Sequence, residues 1–162
     1  QSNLLASILV RYPEIGSLKL IGASRCLRLG FFMTEGLSEK KFEQFVKHMT
    51  VSIEAFSKLM GFDLKLFDIR ISRDEAVSMM EMDRDMDTIS LQELSLITGI
   101  LREQFQSKLI CGEEGSEDGE ESQWYDEFIH HMLDEIHQGT LLQELIAFRE
   151  GNRVLVYDRS VE

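Results

Sequence analysis

Apolar residues change their spacing several times along this chain, and each change predicts a new element. Leu18 and Leu20 alternate with Lys19 and Ile21, then Leu27 and Leu29 alternate with Cys26 and Arg28 before Phe31, Phe32 and Met33. A period of two marks strands with one face buried. Gly22-Ala23-Ser24-Arg25 between the two runs suits a hairpin turn, and Pro13 ahead of them suits a strand end or bend.

The period then lengthens. Phe42, Phe45, Val46, Met49, Ile53, Phe56 and Met60 form one stripe at 3.6-residue spacing, predicting a helix near Ser38–Met60. Ser38 is its natural N-cap, Glu39 favours the positive end of its dipole, and Gly61 can end it. Alternation returns over 63–72 with Leu64, Leu66, Ile69 and Ile71, and a Met-rich strand follows over Ala76 to Met82. Asp83 to Thr88 reads as a solvated turn. Ser90-Leu91-Gln92-Glu93 then has the form of a capping box, in which the Glu carboxylate reaches back to the Ser amide. Leu94, Ile97, Leu101 and Phe105 carry the stripe of a second helix, near Ser90–Leu109.

These two stretches match as a ββα–ββα duplication would. Leu18-Lys19-Leu20 parallels Leu64-Lys65-Leu66, and counting from Ser38 and Ser90 the two helix stripes coincide. The competing explanation is that amphipathic helices placed after hairpins resemble one another by physics alone.

Gly112 to Ser122 has no apolar residue and six acidic ones, so it can bury nothing and is expected to be a mobile loop. A third helix is predicted over Gln123–His137, ended by Gly139-Thr140. Leu145, Ile146 and Phe148, a turn at Glu150-Gly151-Asn152-Arg153, and Val154 to Tyr157 predict a final hairpin. The sum is an α+β domain over residues 4–162: an antiparallel sheet of about six strands, covered on one face by about three helices. Gln1-Ser2-Asn3 reads as the remnant of a cleavable tag and is left out of that fold.

Charge adds a constraint on partners. The net charge is −12, with residues 1–75 at +2 and residues 76–162 at −14. Such a field repels phosphate backbones and anionic bilayers, so neither nucleic acid nor membrane is an expected partner. The apolar runs are too short to span a bilayer, no signal peptide is seen at the start, and the two cysteines, Cys26 and Cys111, are not expected to pair. A soluble cytoplasmic protein is the expectation.

Candidate chemistry is sparse. The chain has no phosphate-binding glycine loop, no HExxH and no GxSxG. Asp83, Asp85 and Asp87 resemble the start of a calcium loop, but Thr88 and Leu94 stand where such a loop needs glycine and glutamate. Met79, Met80, Met82 and Met86 read as core, with an adaptable binding surface as the alternative. On the third helix Trp124, Tyr125, Phe128, Ile129, Met132 and Ile136 share one face. Glu127, His130, Asp134 and His137 share the opposite face, flanked by His131 and Glu135. Imidazoles and a carboxylate one turn apart can share a divalent metal, so His130, Asp134 and His137 are the candidate ligands, with Glu127 or Glu135 as a further ligand or base. A solvated polar face explains the same pattern without a metal. The expected function is a non-enzymatic protein-interaction or regulatory module acting as a homodimer, without a cofactor. The alternative is a divalent-metal-binding protein or metal-assisted hydrolase.

Overall fold

Alternation and 3.6-residue periodicity both become the elements they predict, with two additions. In order, the computed structural model contains α1 (Ser2–Arg11), β1 (Ser17–Ile21), β2 (Cys26–Met33), α2 (Glu39–Met60), β3 (Phe67–Arg73) and β4 (Ser78–Asp85). There follow α3 (Leu91–Phe105), β5 (Leu109–Ile110), α4 (Gly119–His137), β6 (Leu145–Glu150) and β7 (Arg153–Asp158). It describes residues 1–34, 36–74, 76–112 and 119–159. Of the expected acidic loop, residues 113–118 lie outside the described residues, and Gly119–Ser122 form the first turn of α4.

The strands make one antiparallel sheet in the order β3-β4-β2-β1-β6-β7, with the short β5 pairing the end of β2 where β1 has stopped. The order β3-β4-β2-β1 is what two ββα units give when their second strands meet. The strand part of the residue match behind that reading does not hold, because Leu64 and Leu66 lie before β3 and not within it, whereas Ser38 and Ser90 both cap their helices.

Local signals place the helix ends. The Ser38 hydroxyl accepts from the Lys41 amide at 3.2 Å, and Gly61 closes α2 with a φ of 79°, a left-handed conformation open to glycine. Ser90 caps α3 by accepting from the Glu93 amide. The Glu93 carboxylate does not complete a capping box; it takes two hydrogen bonds from Arg84 instead. Helix α3 stops at Phe105 rather than reaching Leu109, because Gln106 turns to φ 47° and the chain then enters β5.

Helix α1 was not expected, and its first residues belong to the fold. Leu4, Leu5, Ile8 and Leu9 are wholly buried. Burying each stabilises by about 1.5–3 kcal/mol before ordering costs. That outweighs the ~1 kcal/mol N-terminal cap the helix lacks. Gln1 ties the start down, its amide donating to the Leu141 carbonyl and its side-chain oxygen accepting from the Gln143 amide, both at 2.7 Å. At the other end Arg149 of β6 donates to the carbonyls of Leu9 (2.5 Å), Tyr12 (3.0 Å) and Ile15. One cation thus takes an acceptor that the end of α1 leaves open, at Leu9, and ties it to the segment that leads into β1. Burial lowers the pKa of this guanidinium, against the pull of Glu14 and Cys111.

Candidate interaction surface

Register decides which sheet residues face the helices. The pairs Leu27–Arg84, Leu29–Met82, Phe31–Met80 and Met33–Ser78 run down β2 and β4, with Leu18 and Leu20 beside them on β1. These apolar residues, with Leu145 and Ala147 of β6, join Phe45, Met49, Ile53, Leu94, Ile97, Leu101, Ile129 and Leu133 of the helices in one core. Phe67, Ile69 and Ile71 of β3 and Val154 and Val156 of β7 pack on the same side. Every sheet residue in that core belongs to one alternating set. The other set forms a second face, and none of it belongs to the core beneath the helices. Antiparallel sheets commonly leave one face to solvent.

The second face has two unlike ends. Across β3, β4, β2 and β1 it carries Asp68, Asp83, Arg28 and Lys19 in one row, and Arg70, Glu81, Gly30 and Ser17 in the next. Asp83 accepts from Arg28 Nε and Nη2 at 2.8 and 3.1 Å, and from Arg70 Nη1 and Nη2 at 3.0 and 3.2 Å. Arg70 also donates to Asp68 at 2.7 Å. Burial pushes the Asp83 carboxyl up, but the bonds and charges of the two arginines outweigh it and hold the group below the usual carboxylate range. The same bonds raise Arg28 and Arg70 against burial.

Along β6 and β7 the same two rows continue as Ile146 and Tyr157, then Phe148 and Leu155. The Phe148 and Tyr157 rings stack with centroids 5.7 Å apart, and Tyr157 is 52% exposed. Between the two ends the surface is low. A Cβ at Gly30 would lie 2.1 Å from Ser17 Oγ and 3.2 Å from the Met79 methyl, so a larger residue would have to push those two side chains aside. Met79 is the methionine of the Met-rich strand on this face, whereas Met80 and Met82 are core.

Asp83-Arg84-Asp85 is therefore strand and not a solvated turn. Arg84 points into the core and is wholly buried. All five of its N–H donors are used: two on Glu93 (2.5 and 2.7 Å), and one each on Asp85 (2.5 Å), Thr88 (3.1 Å) and the Leu66 carbonyl (3.3 Å). Asp85 also accepts from the Lys65 and Leu66 amides and from the Thr88 hydroxyl. Burial pushes Asp85 up, but these bonds and the Arg84 charge bring it below its ordinary range. For Glu93 burial prevails over Arg84 and raises the carboxyl. Asp87 pairs with Arg25 at 2.9 Å, so the three aspartates of the calcium-like run point to three different partners.

The candidate ligands on α4 are only partly brought together. His130 Nε2 lies 3.4 Å from Asp134 on the exposed face, and His131 lies 3.3 Å from Glu135. His137 turns away, its Nε2 donating to the Ile89 carbonyl at 2.9 Å. Glu127 accepts from Gln123 at 3.1 Å. Among the described residues no group of three His, Cys, Asp or Glu side chains is close enough to hold a metal ion. A groove of about 430 Å³ between the start of α2 and the end of α3 is lined by Leu37, Lys41, Gln44, Gln104, Phe105, Gln106, Ser107 and Lys108. Among the described residues its lining holds no acid, histidine or cysteine for acid–base or metal chemistry. Cys26 and Cys111 form no disulfide.

Sequence reasoning expected helices on one face of the sheet only but missed the apolar end of the other face, though a signal was present. Leu145-Ile146-Ala147-Phe148 and Val154-Leu155-Val156-Tyr157 are apolar at consecutive positions, where an antiparallel hairpin with one wet face would alternate. No family model, curated protein or solved structure matches this chain. No helix among the described residues is long and apolar enough to cross a membrane.

Proposed function

We propose that this chain is a non-enzymatic protein-interaction module that works as a homodimer in the cytoplasm. The observation that carries the reading is the uncovered sheet face, where Ile146, Phe148, Leu155 and Tyr157 form an apolar end continuous with a charged one. An apolar patch rimmed by polar residues is what interaction surfaces present. Two-fold dimers are the commonest assembly. Size-exclusion chromatography with light scattering tests this on the whole chain. A mass of twice 18.7 kDa is expected, and a monomer at high protein concentration contradicts it.

The second reading, a divalent-metal-binding protein or metal-assisted hydrolase, rests on the His130–Asp134 pair. Calorimetric titration of Zn²⁺ or Mn²⁺ decides it. Micromolar binding that is lost in His130→Ala and in His137→Ala would favour the metal. Binding indifferent to both, or none, would leave the interaction module.

A further inference from the structure

We infer that the groove between α2 and α3 binds a small organic oxyanion, with the anionic group at Lys41 and an apolar body laid on Leu37 and Phe105. The site lies in the helical layer, apart from the uncovered sheet face, and does not depend on the homodimer reading.

The groove has the size and make-up of a small-molecule site. Its volume of about 430 Å³ falls within the ~300–1,000 Å³ that such sites span. Leu37 and Phe105, each 8% exposed, belong to the core and give it an apolar floor. A smaller hollow of about 140 Å³ shares that floor and continues to Met33 and Ser38. Lys41 and Gln44, one turn apart on α2, make one wall. Gln104 and the segment from Gln106 to Lys108, where the chain leaves α3, make the other.

Charge selects an anion. Acids outnumber lysines and arginines 29 to 17 in the chain. Among the described residues the lining inverts this, with Lys41 and Lys108 and no Asp or Glu. Glu39 and Glu43 each stand two positions from Lys41, about 200° round the helix, so they point away from the groove. At 0.1 M salt, charges more than about 10 Å away are largely screened, so the lining outweighs the net charge of −12. The amides of Gln44, Gln104 and Gln106 and the Ser107 hydroxyl add neutral donors for the oxygens of the ligand. A cation would meet two ammonium groups, and a wholly apolar ligand would strip water from these polar groups without replacing it.

The backbone bears on the same wall. Gln106 holds φ 47° and ψ −123°, a region that glycine enters freely and other residues enter at a cost. That turn swings Gln106, Ser107 and Lys108 across the end of α3 and closes the groove. Glycine at this position would remove both the strain and a lining side chain, which separates the two roles experimentally.

Amide NMR of the ¹⁵N-labelled full chain, titrated with phenylacetate, phenyl phosphate, benzyl alcohol and inorganic phosphate, tests the inference. The two aromatic anions are expected to bind with a dissociation constant of about 1 mM, as suits ligands of this size. The shifts should gather at Lys41, Gln44 and Gln104 to Lys108, and the tighter of the two tells carboxylate from phosphate. Benzyl alcohol lacks the charge and inorganic phosphate lacks the apolar body, so each should bind about tenfold more weakly or worse. Lys41→Gln should weaken both aromatic anions about tenfold, while Lys58→Gln, at the far end of α2, should leave them unchanged. Gln106→Gly should raise the urea midpoint and still weaken binding several-fold, a loss that a purely structural glutamine would not produce. Benzyl alcohol binding as tightly as phenylacetate overturns the choice of an anion. Inorganic phosphate binding as tightly as phenyl phosphate overturns the apolar body. Shifts that gather elsewhere, binding indifferent to Lys41→Gln, or no shift with either aromatic anion at about 10 mM overturns the site.

Discussion

Replacing Arg84 is expected to be the most damaging single change in the core. Its guanidinium is wholly buried and makes five hydrogen bonds, two of them to the equally buried Glu93. Arg84→Met would leave the Glu93 carboxylate in the core without its cation. Removing one partner of a buried pair costs about 3–5 kcal/mol. A domain of this size is stable by about 5–15 kcal/mol, so the loss is a large fraction of the total. With a urea slope of about 2 kcal/mol per molar, the unfolding midpoint should fall by about 2 M. Glu93→Leu alone should cost less, because Arg84 loses two acceptors but keeps the Asp85 carboxylate, the Thr88 hydroxyl and the Leu66 carbonyl. The double variant should recover most of the loss, since an apolar pair of similar volume is often neutral or stabilising. Asp85 would keep the Lys65 and Leu66 amides and the Thr88 hydroxyl. Urea unfolding followed by circular dichroism measures all three variants. A double variant as unstable as the sum of the singles would refute the reasoning, because the cost would then lie in lost packing and not in an uncompensated charge.

Three further outcomes are expected. Arg149→Met should cost about 3 kcal/mol, since the carbonyls of Leu9 in α1 and of Tyr12 and Ile15 beyond it lose a charged donor, and hydrogen exchange should accelerate first in α1. Asp83 has a lowered pKa in the fold, so its stabilisation is fully present above its unfolded value of about 3.9 and is lost as pH falls through the lower folded value. The urea midpoint of the wild type should therefore drop further than that of Asp83→Asn on acidification below about pH 4. Thiol labelling of the native protein near neutral pH should be fast at the exposed Cys111. It should be slow at Cys26, which is buried and whose thiol is pushed up to about 11 by burial and then by the Asp83 charge, until denaturant opens the fold.

What could be read from the sequence was local. The β1–β2 and β6–β7 hairpins, both serine caps and the Gly61 stop rest on periods and residue types within a few positions, and the structure contains them. What could not be read was set at a distance. Three consecutive charges at Asp83-Arg84-Asp85 look solvated, yet register places Arg84 opposite Leu27 on the core face because Glu93 waits there. The same partner explains the failed capping box, since two charge-assisted bonds outweigh one bond to a backbone amide. The two residues of β5 are too few to show a period, and their place depends on β1 ending short of Phe32. Strand order cannot be read from spacing at all, and without it the uncovered face has no location. On α4 the spacing of His130, Asp134 and His137 was legible, but the turn of His137 to Ile89 depends on the packing of α4 near the start of α3.

Methyl NMR on serial dilution tests the central claim, that the uncovered sheet face is the working surface, most directly. With isoleucine, leucine and valine methyls labelled, Ile146 and Leu155 are expected to shift as the dimer dissociates, while Val51, Leu59 and Leu141, exposed elsewhere, stay fixed. Shifts confined to Val51 and Leu59 of α2, with Ile146 and Leu155 unmoved, would contradict it.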